Sequence, residues 1–333
     1  MTLRVGVVGA SYAVGTHLPV YAASDDVELV AVATAHEDTA RAVAERFGAR
    51  PHVGYEALCA DPDVDLVDVA TRPSRHREMV EAAFAAGKDV LCEAPLAPSV
   101  ADGEAMATAA ASAGRSGWVD MQSRFWPGLQ ELHRLVDDGY LGTVENVAAT
   151  AFYPTFTRPE AVAGSGWCAD GAYGASALRV HGLHTADLLR WLFGELTEVR
   201  GSAATRRSEW PGGVPATSAD SAAYTARTPD GAVCSVHASW VARHGEGWRL
   251  AVHGSAGTLV ATAAGHTGHF PVTLRGARAD EPALLDLVAP GDEPATTPFA
   301  ELVRRLAAGG AGVPTFADGI AALRVAESVE AAG

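Results

Sequence analysis

The first 120 residues constrain the fold most, because apolar strand-length runs alternate there with helix-length segments. Leu3 to Val8 (Leu-Arg-Val-Gly-Val-Val) is apolar with little alternation, as expected of a strand covered on both faces of a parallel sheet. A glycine turn follows, Gly9-Ala10-Ser11-Tyr12-Ala13-Val14-Gly15, and then a helix-like segment from Thr16 to Ala23. The rhythm continues with a strand over Val27–Thr34, a helix over Glu37–Phe47, a strand over Asp65–Ala70 and a helix over Arg77–Ala86. It closes with Val90–Cys92 (strand), Val100–Ala113 (helix) and Gly117–Met121 (strand). Strands separated by helices pair in parallel, so residues 1–121 read as a Rossmann-type, doubly wound α/β domain.

In that layout backbone N–H groups and a helix N-terminus face a pyrophosphate. Cofactor contacts are therefore expected from Gly9, Ser11, Tyr12, Ala13 and Val14. The G-x-G-x-x-G fingerprint is imperfect: Ser11 and Val14 hold its second and third glycine positions, and Gly15 comes one step late. At the end of the second strand an Asp or Glu would bind the ribose 2′-OH of NAD. This chain has Thr34-Ala35-His36 instead. A hydroxyl and an imidazole suit a 2′-phosphate, so NADP(H) is expected over NAD(H). The other reading leaves His36 as a loop histidine touching nothing.

Beyond Met121 the pattern changes. A helix over Phe125–Asp138, closed by Gly139, leads into strands over Val144–Tyr153, Leu196–Ala203, Ser221–Arg227, Ala232–Val241, Arg249–Gly254, Thr258–Thr262 and Val272–Arg275. Several alternate with period two, so one face is covered and one open. A helix is expected over Ser176–Phe193, loops over Trp210–Pro215 and Ala289–Pro298, and closing helices over Phe299–Ala307 and Phe316–Glu330. Residues 122–333 read as a second, substrate-binding α/β domain.

The totals exclude several classes. A chain of 333 residues has room for two domains. A net charge of −15 argues against a nucleic-acid partner. No apolar run approaches the roughly 20 residues that span a bilayer, and the opening runs straight into a strand, so no membrane partner and a cytoplasmic location are expected. The four cysteines have no CxxC spacing, and buried free thiols are expected. Lys88 is the only lysine.

Seven stretches in register carry a resemblance. They are the glycine turn with His17 after it, Asp61-Pro62-Asp63-Val64-Asp65, Ala70-Thr71-Arg72-Pro73-Ser74-Arg75-His76, and Gly87-Lys88-Asp89-Val90-Leu91-Cys92-Glu93-Ala94-Pro95-Leu96-Ala97. The others are Asp138-Gly139-Tyr140-Leu141-Gly142, His184-Thr185-Ala186-Asp187 before Leu192-Phe193-Gly194-Glu195, and Val252-His253-Gly254-Ser255-Ala256-Gly257. Together they resemble the Gfo/Idh/MocA family (glucose-fructose oxidoreductase, inositol dehydrogenase, rhizopine catabolism) over nearly the whole chain. Met121–Phe125 and Leu135–Gly142 are similar to the branch containing the galactose-regulon repressor. The resemblance implies a C-terminal domain with a large, open, mostly antiparallel sheet, a homodimer or homotetramer built through it, and hydride transfer between nicotinamide and a hydroxyl carbon of a small sugar, polyol or related ring.

The family's Glu-Lys-Pro turn supplies a lysine near the substrate oxygen. Here that position is Ala94, and the first Asp of the family's second run is Val180. What remains is His184 with Asp187, and His181 three residues earlier on the same helix face. His184 reads as an acid/base group or as a substrate-binding or packed histidine; Asp187 orients it or makes a structural pair. Tyr173 is a phenolic donor or a surface tyrosine. A metal on His181, His184 and Asp187 is not expected, because the third position drifts around the helix. Thr71, Arg72, Pro73 and His76 follow a parallel strand at the carboxyl edge where such sheets bind ligands, and with Glu93 and Ala94 they complete the cofactor set. Arg72 contacts a phosphate or carboxylate, or is an exposed loop arginine. Arg124, Trp167, His181 and His184 form the substrate set. Three functions follow: an oxidoreductase on a sugar-like or cyclic hydroxyl or ketone carbon, a redox-neutral enzyme (eliminase, epimerase or cyclase), or a non-catalytic nucleotide-binding regulator.

Overall fold

The computed structural model describes residues 2–331 apart from 290 and 292. It contains two compact units, Met1–Gln122 with Thr296–Ile320, and Ser123–Ala295 with Ala321–Gly333. The return of Thr296–Ile320 to the first unit is announced by no local pattern.

In the first unit the chain runs β1 (Leu3–Val8), α1 (His17–Ala23), β2 (Val27–Thr34), α2 (Glu37–Phe47), β3 (Arg50–Val53) and α3 (Tyr55–Cys59). It continues through β4 (Leu66–Val69), α4 (Pro73–Ala85), β5 (Asp89–Cys92), α5 (Val100–Ala113) and β6 (Gly117–Val119). All neighbouring strands are parallel, in the order β3-β2-β1-β4-β5-β6. This is the doubly wound order, with its reversal between β1 and β4. Val5, Val7, Leu66, Val67, Val90 and Leu91 are buried to 1% exposure or less, which is why these strands show no alternation.

The elements the sequence hides are β3 and α3. The polar β3 lies at the sheet edge with most of its residues exposed, so it has no apolar run. Helix α4 begins one turn before the expected Arg77, since Pro73 at its first position has no N–H to satisfy. Ser99 caps α5 by accepting from Asp102 N, and Gly114 closes it in the left-handed region.

The second unit contains α6 (Pro127–Asp137), β7 (Val144–Phe152), α7 (Pro159–Ser165), α8 (Leu183–Phe193), β8 (Thr197–Ala204), β9 (Glu209–Trp210) and β10 (Val214–Pro215). It goes on with β11 (Ser221–Arg227), β12 (Val233–Ser239), β13 (Gly247–Gly254), β14 (Gly257–Ala263), β15 (Thr273–Arg278) and β16 (Leu285–Val288). Helix α9 (Thr297–Ala307) falls in the first unit, and α10 (Phe316–Glu330) ends in the second. The eight-stranded sheet runs β16-β15-β14-β13-β7-β12-β11-β8, antiparallel except for the β7–β12 pair. Its covered face packs Val147, Leu250 and Val252 against Leu129 and Leu132 of α6, Leu188 and Leu192 of α8, and Val329 of α10. On β11, Ala222, Tyr224 and Ala226 are buried while Ala223, Thr225 and Arg227 are exposed, the period-two signature of an open face. The loop expected over Ala289–Pro298 is cut short by α9, and residues 290 and 292 lie outside the described residues.

One helix differs from expectation. Ser176–Phe193 is not a single α-helix: Ala177–Gly182 is a π-helical turn, capped by Ser176 accepting from Arg179 N, and α8 begins only at Leu183. Such wide turns change which side chains share a face.

Two glycines separate a strained position from an open one. Gly9 sits at φ +116, and a Cβ there would lie 2.2 Å from Ala70 O. Gly9→Ala is expected to cost about 1–3 kcal/mol or more in urea denaturation. Gly164 lies in α7, where an added Cβ would have nothing within 4 Å. Gly164→Ala should be neutral or gain up to ~1 kcal/mol.

Candidate functional site

In the first unit Gly9 ends β1 beside Ala70, which follows β4, at the point where the strand order reverses. Ser11 is exposed, and Tyr12–Val14 form a short 3-10 turn before α1. Thr34 Oγ1 donates to His36 O at 2.8 Å and accepts from His36 N at 3.3 Å. The exposed His36 precedes α2, and the nearest carboxylate, Glu37, is paired with Arg41 one turn on.

A buried ionic cluster occupies the carboxyl ends of β4, β5 and β6. His17, the first residue of α1, is 0% exposed. Its Nδ1 lies 2.8 Å from Asp68 Oδ2, which also accepts from Tyr21 Oη at 3.0 Å. Its Nε2 lies 2.9 Å from Glu93 Oε1 and 3.3 Å from Asp120 Oδ2. Burial opposes a charge on His17, but Asp68 and the contacts with Asp120 and Glu93 outweigh it and hold the pKa well above the usual value. Burial, helped by repulsion from Asp120 and Asp68 and opposed by His17, pushes the Glu93 carboxyl up to about 7. Phe299 stacks on the His17 ring at 4.0 Å.

Glu93 Oε2 accepts from Ala94 N at 3.0 Å, and the Ala94–Pro95 peptide is cis. His76, expected in the cofactor set, lies in the interior. It is fully buried, with Nδ1 3.0 Å from Leu96 O and Nε2 3.1 Å from Thr71 O. Both ring nitrogens face carbonyls of the two loops it joins. Arg72 is exposed at the start of α4, Pro73 is buried in its first turn, and Thr71 Oγ1 meets Met79 Sδ. Lys88 Nζ donates to Asp61 O and Val64 O at 2.8 and 2.7 Å, at the far end of β5 from Ala94.

In the second unit four histidines gather. His266 lies 4.8 Å from His181 and 4.7 Å from His184 between ring centroids, and 5.7 Å from His269. Tyr153 stands edge-on to His181 at 5.1 Å, as Trp240 does at 5.8 Å. Burial, then repulsion from His184 and His269, drives the His181 pKa down to about 3; burial and the other three imidazoles hold His266 well below its usual value. Buried Tyr153 Oη, His181 Nδ1, Trp240 Nε1 and His266 Nε2 have no hydrogen-bond partner among the described residues.

Asp187 and Arg124 are joined. Arg124 Nε meets Asp187 Oδ2 at 2.8 Å and Nη2 meets Oδ1 at 2.5 Å, with both residues buried. Arg124, expected as a substrate contact, is therefore one half of a buried bidentate ion pair, and Asp187 has both oxygens engaged by it. Tyr173 sits at the exposed end of a 3-10 turn that Asp170 caps. Trp167 is half-buried against the cluster of Phe156, Cys168 and Trp210.

Sequence reasoning missed Asp68, Asp120, Tyr21 and Tyr153, and found no partner for His266. One signal was present: Asp68 stands inside Leu66-Val67-Asp68-Val69, where a strand buried on both faces should hold no charge.

Two outcomes are expected. Histidines with depressed folded pKa bind fewer protons folded than unfolded, so their contribution is present above about 6.5 and is lost as pH falls toward 3. His266→Leu should flatten the fall in melting temperature between pH ~6.5 and ~5, where most carboxylates remain ionised. Arg124→Met should cost about 3–5 kcal/mol in denaturation by removing the bidentate partner of buried Asp187, and adding Asp187→Leu should recover most of it.

Comparison with known proteins agrees with this architecture. Residues 3–121 match the model described as "Oxidoreductase family, NAD-binding Rossmann fold", and residues 129–260 match the GFO/IDH/MocA C-terminal domain. A dTDP-3,4-didehydro-2,6-dideoxy-alpha-D-glucose 3-reductase from Streptomyces violaceoruber is 33% identical over 99% of this chain and 94% of its own length. Inositol 2-dehydrogenase from Rhizobium meliloti is 27% identical over 98% and 96%. The structure of a levoglucosan dehydrogenase in complex with NADH and L-sorbose superposes with a TM-score of 0.86 at 26% identity, covering 100% of this chain and 97% of that one. No helix among the described residues is long and apolar enough to cross a membrane. The chain belongs to the Gfo/Idh/MocA family of oxidoreductases, with an NAD-binding Rossmann fold and the family's C-terminal domain.

Proposed function

We propose that this protein is an NADP(H)-dependent oxidoreductase acting on a hydroxyl or ketone carbon of a sugar-like or cyclic small molecule, with His184 moving the proton that the family's lysine would move. The observation that carries this reading is the set of unpartnered buried polar atoms around His266: a phenol, an indole N–H and two imidazole nitrogens. Each costs about 1–3 kcal/mol while unsatisfied. A ligand rich in hydroxyls supplies donors and acceptors to all of them, and the aromatic walls suit the apolar face of a sugar ring.

A bound nicotinamide supplies the hydride exchange. The tight Gly9 turn at the strand-order reversal fits its pyrophosphate. At the end of β2 the exposed His36 imidazole, with Glu37 already paired to Arg41, supports a 2′-phosphate over a bare ribose. His184 would take the hydroxyl proton during oxidation and return it during reduction, beside imidazoles held neutral by burial. Lys88 is spent on carbonyls at the other sheet end and cannot serve. A homodimer or homotetramer through the open sheet face belongs to this reading. That face is a shallow surface on which small side chains, including Ala148, Ser202, Ala223 and Ser235, stand beside Arg200 and His237.

Ala94 favours a second reading, a redox-neutral enzyme or a nucleotide-binding regulator on the same scaffold. Tryptophan quenching by NADPH and NADH, followed by turnover with a panel of sugars and cyclic polyols, separates them. The proposal expects tighter NADPH binding, net nicotinamide turnover, and a fall of at least ~100-fold in His184→Ala with nucleotide affinity unchanged. Full rate in that variant would remove His184 from the chemistry. Substrate conversion with no net change in nicotinamide would establish the redox-neutral reading, and tight binding without conversion the regulator.

A further inference from the structure

We propose that the first unit binds a divalent first-row transition ion through His17 Nε2, Glu93 Oε1 and Asp120 Oδ2. One ligand atom from each of these three residues lies within 4.8 Å of the others. The sequence led to no such expectation, because the donors are 76 and 27 positions apart (93 − 17 and 120 − 93) and only the parallel sheet gathers them.

Their geometry is that of ligands around an ion. His17 Nε2 is 2.9 Å from one carboxylate oxygen and 3.3 Å from the other. Close as they are, His17 Nε2 and Glu93 Oε1 pair as charges without a well-aligned hydrogen bond, as expected where the oxygens lie off the axis of the ring nitrogen. With metal–ligand bonds of about 2.0–2.2 Å, neighbouring ligand atoms stand about 3.0–3.5 Å apart, and an ion on the nitrogen lone pair has its other ligands off that axis.

The surroundings orient each donor as metal sites require. Asp68 Oδ2 receives the other ring nitrogen of His17 and is itself held by Tyr21 Oη, the carboxylate–histidine arrangement that fixes a ligating tautomer. Glu93 holds its second oxygen on Ala94 N, and Asp120 Oδ1 accepts from Gln122 N at 3.1 Å.

One imidazole with two carboxylates suits Zn²⁺, Mn²⁺ or Fe²⁺; Mg²⁺ and Ca²⁺ favour all-oxygen sets. Three protein ligands leave a position open. The site places a cation one residue from Ala94, where the family's turn carries an ammonium.

Chelator-stripped full-length protein should be titrated with Co²⁺, following its visible absorption, with Zn²⁺ as competitor and elemental analysis for stoichiometry. The expected result is about one equivalent bound. Glu93→Gln, Asp120→Asn and Asp68→Asn should each weaken binding about 10–100-fold with the circular dichroism spectrum unchanged. His266→Leu should bind as wild type does. Wild-type protein that shows no Co²⁺ spectrum at millimolar ion overturns the proposal, as does binding unaltered in Glu93→Gln and Asp120→Asn. Loss of the ion in His266→Leu overturns it too, by placing the ion in the histidine nest. Should a carboxylate variant fail to fold, wild-type stoichiometry and the His266 variant still decide.

Discussion

The contact between His17 and Asp68 is the constraint on which the first unit's chemistry depends. A parallel strand enclosed on both faces normally excludes charge, yet Asp68 sits inside β4 at 0% exposure. It is tolerable only because an imidazole and a phenol are delivered to it from α1. That delivery requires α1 to start immediately after the Gly9 turn, and the turn in turn requires a residue without a Cβ beside Ala70. Strand, turn, helix and ionic cluster are therefore one device. Glu93 and Asp120 join it because β5 and β6 are the next strands in the sheet and end at the same edge.

The second unit solves a different problem. Arg124 and Asp187 satisfy each other bidentately in its interior. The histidines pack instead against aromatic rings and against one another, and burial with mutual repulsion keeps His181 and His266 neutral. The result is an aromatic nest whose unmet hydrogen-bonding capacity is concentrated in a few atoms. Such a surface offers directional hydrogen bonds and no charge.

The loss of the family's lysine at Ala94 gains meaning from both clusters. Lys88 is committed to backbone carbonyls, so no ammonium remains to polarise a substrate oxygen. Each unit instead gathers imidazoles: one in anionic surroundings, His17, and a neutral group around His266. These environments push histidine pKa values in opposite directions within one chain, by the same balance of burial against neighbouring charge.

Much of the fold was legible in the sequence. Apolar runs without alternation marked β1, β2, β4 and β5, period-two alternation marked strands of the second unit, and the helix read over Val100–Ala113 coincides with α5. Edge elements such as β3 were not legible, because an exposed strand of Arg, Pro and His has no pattern to read. The same limit applied to the site. His184, His181 and the Glu93 turn stood out through spacing and resemblance, whereas the partners that define them did not. Asp68 meets His17 across 51 residues, Asp187 meets Arg124 across 63, and His266 reaches His181 from a glycine-rich loop. The sequence by itself determined which segments are buried strands and helices, since periodicity is a local consequence of burial. Only the tertiary structure decided which polar groups neutralise one another, because electrostatic partners are set by distance in space, and strand order brings together residues that no local pattern connects.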